Sequence, residues 1–171
     1  MIEVINTELE EVKIIKPKLF YDDRGYFFES YNEREVSNQI GNIAFVQDNE
    51  SKSSFGVLRG MHYQQKPYEQ CKLIRVIEGK IQDIVIDLRK DSSSYLKHVS
   101  VILDEVEKKQ LFIPKGFAHG FLVLSKYAIV SYKVDNFYSP KNEISIPYNN
   151  PKLALNWNLS EEDIRVSKKD K

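Results

Sequence analysis

The sequence holds a single cysteine, Cys71. An intramolecular disulfide needs two and a cysteine-rich metal cluster needs more, so both are excluded. Net charge is also missing: Lys and Arg number 25, and Asp and Glu number 25. A protein that grips duplex nucleic acid normally carries a basic excess, so a nucleic-acid partner is not expected. No apolar run approaches the roughly 18 residues of a membrane helix. The stretch 1–11 carries Glu3, Glu8, Glu10 and Glu11 but no Lys or Arg, and so lacks the basic start and apolar block of a signal peptide. There is no low-complexity tract, no repeat and no Ser- or Gly-rich linker, so no internal boundary is drawn. These absences lead us to expect one soluble cytoplasmic domain over residues 1–171, with no membrane partner.

Aromatic residues, by contrast, are plentiful at 12%, with 10 Tyr and 9 Phe. Together with Val and Ile they favour strands. Strands are expected over 12–16, 26–31, 44–47, 57–63, 72–77, 80–88, 98–103, 110–113, 120–125 and 128–134. Asp22-Asp23-Arg24-Gly25 supplies a turn between two aromatic runs. Glu78-Gly79 predicts a hairpin joining 72–77 to 80–88. Asn32 with Glu35 three positions on has the form of a capping box, opening a two-turn helix that Gly41 ends. Ser160 followed by Glu161 and Glu162 predicts a second helix start. Many short strands separated by turns indicate an all-β barrel or sandwich. Polar residues on its inward positions are costly unless they line a pocket. His62, Lys72, His119 and Tyr132 lie in or beside apolar strands and draw notice for that reason. Taken alone, a strand histidine such as His62 is as readily a buried neutral imidazole. Arg59, three residues before His62, should face the other way unless a bulge at Gly60 intervenes.

The spacing Pro114-x-Gly116-x-x-His119-Gly120 resembles the second motif of the cupin β-barrels. In the first cupin motif the resemblance implies two histidines and a glutamate as metal ligands. Here those places hold His62, Gln64 and, counted back from Gly79, Lys72. An ammonium beside a divalent ion is repelled and a ligand is missing, so no metal is expected. Counted forward from Gln64, Glu69 could stand in, leaving a weak His62, Glu69, His119 alternative.

A metal-free cavity with His, Lys and Tyr suits proton abstraction beside a carbonyl. The imidazole is a base near neutrality, the ammonium holds an oxyanion, and the phenol returns a proton. That is an epimerisation, and it needs no cofactor. At this point the chain resembles the dTDP-4-dehydrorhamnose 3,5-epimerase family over 20–170. The matching segments include Asp22-Asp23-Arg24-Gly25, Gln47-Asp48-Asn49-x-Ser51, 57–64, Gln70-x-Lys72-Leu73, 113–121, Tyr132-Lys133 and Tyr138-x-Pro140. The resemblance implies His62 as base, Lys72 on the enolate oxygen and Tyr132 as acid on the opposite face. It implies Asp170, in Val166-Ser167-Lys168-Lys169-Asp170, as the partner of His62, with Asp163 the other candidate. It places Arg24, Glu29, Gln47, Asn49, Arg59, His119, Tyr138 and Glu143 on a nucleotide-linked 4-keto sugar, Arg suiting the pyrophosphate. Read without it, Arg24 is a solvated turn residue, Glu143 a surface charge and Tyr138 a packing residue. The resemblance further implies a homodimer in which the N-terminal segment, with Arg24 and Glu29, completes the partner's site. Three other functions fit the residues: a ketoisomerase or single-carbon epimerase, a non-catalytic sugar-binding cupin, and a metal-dependent cupin.

Overall fold

The computed structural model describes residues 2–170. Its strands run β1 (Ile2–Asn6), β2 (Lys13–Pro17), β3 (Phe20–Asp22), β4 (Gly25–Phe27), β5 (Gln47–Ser54), β6 (Leu58–Gln64) and β7 (Lys72–Glu78). They continue with β8 (Lys80–Asp87), β9 (His98–Asp104), β10 (Gln110–Ile113), β11 (Phe117–Val123), β12 (Tyr127–Val134) and β13 (Glu143–Ser145). One helix, α1 (Glu33–Gln39), lies between β4 and β5. Two antiparallel sheets face each other, in the orders β1-β2-β10-β7-β12-β5 and β13-β6-β11-β8-β9, and β3 and β4 form a separate ribbon. Among the described residues no helix is long and apolar enough to cross a membrane.

The core follows from alternation along the strands. Ile74 and Val76 of β7, Ala128 and Val130 of β12, Ile81 and Val85 of β8, and Phe117, Phe121 and Val123 of β11 meet in one buried cluster between the sheets. The opposite parity of β8, Ile84 and Ile86, packs outward with Met61, Ala118 and Leu153 under the C-terminal loops. On the other sheet, Ile15, Leu73 and Phe112 are covered by Tyr31, Ile40, Ile43 and Phe45 from around α1. Each sheet is therefore buried on both faces over much of its area.

Several expectations need correction. Glu78-Gly79 does not close a hairpin. β7 pairs with β10 and β12, whereas β8 pairs with β9 and β11. Gly79 instead passes the chain from one sheet to the other at φ +87, where a Cβ would stand 2.2 Å from the Tyr127 carbonyl oxygen. The strand expected over 44–47 begins only at Gln47 and runs on to Ser54. Its eight residues carry no apolar side chain, and it is held as an edge strand by an eight-residue ladder to β12. The strand expected over 26–31 stops at Phe27, because its partner β3 offers only three residues. Ser160 caps a single turn rather than a helix. Its Oγ donates to Asp163, but Arg165 is drawn into a parallel bridge with Val57. β1 and β13, absent from the sequence reading, each add an edge. At α1 the Asn32 side chain accepts from the Glu35 N–H at 3.3 Å, as the capping pattern predicts.

Candidate active site

The parity that builds the core also aims polar groups at one end of it. Lys72 shares a row of β7 with Ile74 and Val76, Tyr132 a row of β12 with Ala128 and Val130, and His119 a row of β11 with Phe117 and Phe121. All three side chains line a cavity of about 500 Å³ between the sheets. His62 and Arg59 line it too, although they are three apart on β6. The β6–β11 register explains this: His62 pairs with His119 and Arg59 with Phe121, so β6 carries one extra residue. The bulge falls at Gly60, whose φ is +131 and whose Cβ, if present, would lie 2.4 Å from the Gly120 Cα.

His62 Nε2 lies 2.5 Å from Asp170 Oδ1, across 108 residues of sequence. Asp170 is buried, on a turn of 3-10 helix at Lys168–Asp170. Its second oxygen accepts from the Ser167 hydroxyl at 3.0 Å, and its backbone N–H donates to the Ser167 carbonyl oxygen at 3.1 Å. The other ring nitrogen, Nδ1, stands 3.9 Å from Glu143 Oε1. Glu143 accepts from the Tyr138 hydroxyl at 2.6 Å and from Lys169. Burial alone would raise the Glu143 carboxyl, but those two donors outweigh it and hold the group below the usual range.

Behind His62, His119 Nε2 lies 2.8 Å from Asp83 Oδ2. Burial pushes the His119 imidazole below its ordinary value, against the pull of the Asp83 carboxylate. Burial likewise pushes the Lys72 ammonium down to about 8, with Asp83 and Glu143 pulling it up. On the opposite wall, burial raises the Tyr132 phenol while Arg59 lowers it. A raised phenol stays protonated at neutral pH and can serve as an acid.

Of the remaining candidates, Gln47 and Asn49 line the cavity from β5, joined by a 2.8 Å side-chain bond. Arg59 donates to Ser53 at 2.9 Å. Tyr138 stands half-exposed at the rim. Arg24 and Glu29 are not brought to this cavity. Arg24 is paired with Asp22 at the tip of the β3–β4 ribbon, and Glu29 sits beside Phe20 and Phe27. Asp163 also lies elsewhere, against Ser160. Glu69 is not among the cavity's lining residues, and its charge is felt by Lys115. Among the described residues no three His, Cys, Asp or Glu side chains are grouped to hold a metal ion. Sequence reasoning passed over Asp83, Ser167 and Lys169. Asp83 had a signal, a carboxylate in the apolar run Ile81 to Ile86; Ser167 and Lys169 had only their closeness to Asp170.

Comparison with known proteins gives the family. A sequence family described as dTDP-4-dehydrorhamnose 3,5-epimerase matches residues 6–171. A protein of that name from Escherichia coli (strain K12) is 47% identical over 155 residues, covering 90% of this chain and 84% of its own. A crystal structure of dTDP-6-deoxy-D-glucose-3,5-epimerase from Legionella pneumophila, in complex with dTDP-4-keto-L-rhamnose, superimposes with a TM-score of 0.96 at 44% identity. It covers 99% of this chain and 90% of that one. The dTDP-4-dehydrorhamnose 3,5-epimerase of Bacillus anthracis, with TDP and PPi bound, gives 0.96 at 42% identity, covering 99% and 97%. With a cupin-type jelly roll and a match over nearly its whole length, this chain belongs to the dTDP-4-dehydrorhamnose 3,5-epimerase family.

Proposed function

We propose that the chain inverts C3 and C5 of a dTDP-linked 4-keto-6-deoxy sugar, within a single domain. The observation that carries this reading is the buried Asp170 on His62 Nε2, facing Tyr132 across the cavity. With the carboxylate accepting from Nε2–H, Nδ1 keeps its lone pair and takes the proton from the carbon beside the ketone. The electron pair left behind moves onto the ketone oxygen, where Lys72 stabilises the enolate. Tyr132, from the opposite sheet, delivers a proton to the other face, and the ketone reforms with inverted carbon. The cycle repeats at the second acidic carbon. Every step is a proton transfer, so no cofactor or metal is called for, and a chelator should leave the rate unchanged.

Arg59, His119, Gln47, Asn49, Tyr138, Glu143 and Lys169 would hold the nucleotide-sugar, with Arg59 and Lys169 suited to its phosphates. A homodimer would supply what one chain lacks. Arg24 and Glu29 sit away from the cavity, on or beside a ribbon whose Phe20, Tyr21, Tyr26 and Phe27 are all exposed. Such a ribbon is fit to cross to a neighbour and complete its site. An activated nucleotide-sugar as substrate fits a cytoplasmic protein.

The test is incubation with dTDP-4-keto-6-deoxyglucose in deuterated buffer, read by NMR. Exchange at C3 and C5 with inverted product is expected. Exchange at one carbon would make it a mono-epimerase, and binding without exchange would make it a sugar-binding protein. Tyr132→Phe should slow completed inversion by roughly 10²–10⁴ while some exchange survives, since only the second proton transfer needs the phenol.

A further inference from the structure

Beside the cavity, the chemistry above leaves the buried Asp83 without a task. Asp83 is fully buried in β8, in the inward row with Ile81 and Val85. Its Oδ2 is bonded to His119, and its Oδ1 has no hydrogen-bond partner among the described residues. For stability alone this is a poor arrangement, since an apolar residue there would avoid the desolvation of a carboxylate. The oxygen lies in the layer between the sheets, into which Lys72 also points from β7.

We propose that Asp83 is a positioning residue: its carboxylate is the buried counter-charge that keeps the Lys72 ammonium protonated for the enolate and holds the His119 ring in one tautomer. This role rests on the epimerase reading, because only an enolate requires a charged Lys72. The groups facing the lysine can be enumerated by element. They are His62 and Arg59 of β6, Asp83 of β8, His119 of β11, Tyr132 of β12, Glu143 of β13, and Lys169 and Asp170 of the C-terminal turn. Two of them, Asp83 and Glu143, pull the Lys72 pKa upward, and Glu143 is already engaged by Lys169 and Tyr138. Asp83 itself is raised by burial and drawn back by His119 and Lys72. Charge on the carboxylate and charge on the ammonium thus support each other.

The sign follows. Lys72 works when protonated, so exchange should fall as pH rises through about 8. Removing the negative charge in Asp83→Asn should move that alkaline limb down by about one unit or more, an opposite charge commonly shifting a pKa by that much. Part of the lost rate should return at lower pH. In Lys72→Arg the guanidinium stays charged throughout, so adding Asp83→Asn should no longer move the limb. An Asp83→Asn enzyme slowed equally at every pH, or one with an unmoved limb, would overturn the proposal. Lysine labelled with ¹³C at Cε gives a second reading without substrate. Lys72 should titrate lower in Asp83→Asn than in the wild type, and an unchanged titration refutes the counter-charge even if the chain proves not to be an epimerase. If Asp83→Asn does not fold, aspartate ¹³C-carboxyl NMR of the wild type decides. The Asp83 signal should inflect where Lys72 titrates, and independent titration of the two would sink the proposal.

Discussion

Two His–Asp pairs stand side by side in this cavity, and they are opposite in construction. His62 and His119 are directly paired across β6 and β11. The first takes its carboxylate from the C-terminal turn, 108 residues away, and the second from the adjacent strand β8, 36 residues away. The His62 side chain is 23% exposed and reaches the open cavity, while that of His119 is 9% exposed and its Asp83 is wholly enclosed. The same two residue types therefore meet different surroundings. A partly solvated imidazole, oriented by a carboxylate that a serine also holds, suits the shuttling of a proton. An enclosed imidazole held neutral by burial suits donation of a fixed hydrogen bond.

Mutations can break or sharpen that contrast. His62→Asn should cause the largest loss, suppressing solvent deuterium incorporation by roughly 10⁴, the upper end for an acid–base group. Comparable exchange in that variant would remove His62 as base. Asp170→Asn should slow exchange by about 10–100-fold, in line with a hydrogen bond to a charged group. Asp163→Asn should leave the rate unchanged, and the reverse ranking would reassign the dyad. His119→Asn should act mainly on KM, raising it about tenfold, as expected for loss of one binding contact. A purely kcat effect would place His119 in the chemistry. The smallest effect belongs to Ser167→Ala, where loss of one hydrogen bond on Asp170 should slow exchange several-fold, consistent with about 1 kcal/mol.

The fold class could be read from the many short strands separated by turns, and Lys72, His119 and Tyr132 stood out as polar residues in or beside apolar strands. The inward face was not legible in β8 and β11, which are buried on both faces. The Gly60 bulge was legible as a possibility, since alternation would otherwise put Arg59 and His62 on opposite faces. Connectivity was less accessible. A glycine between two β-branched runs looks the same whether it closes a hairpin or turns a corner between sheets, and only tertiary packing separates the two at Gly79. β5 was hidden for another reason: Gln47–Ser54 is polar throughout, and its ladder to β12 holds it as a strand against its own composition. The choice between Asp170 and Asp163 was equally beyond sequence. Both lie near the end of the chain after a serine, and what decides is the bridge at Arg165 that directs the last residues toward β6. Asp83 was visible as an odd residue in an apolar run, but its partner lay three strands further along the sequence.

The close approach of Gly60 to Gly120 has a consequence for interpreting variation. A side chain at Gly120 would strike the Met61 sulfur at 2.5 Å, and one at Gly60 would strike backbone. Either change would press β6 and β11 apart and swing the imidazole off target while leaving every polar group in the cavity chemically intact. Loss of activity in a natural or laboratory variant can therefore trace to a single added methyl, and an inventory of ionisable residues would pass such a chain as functional.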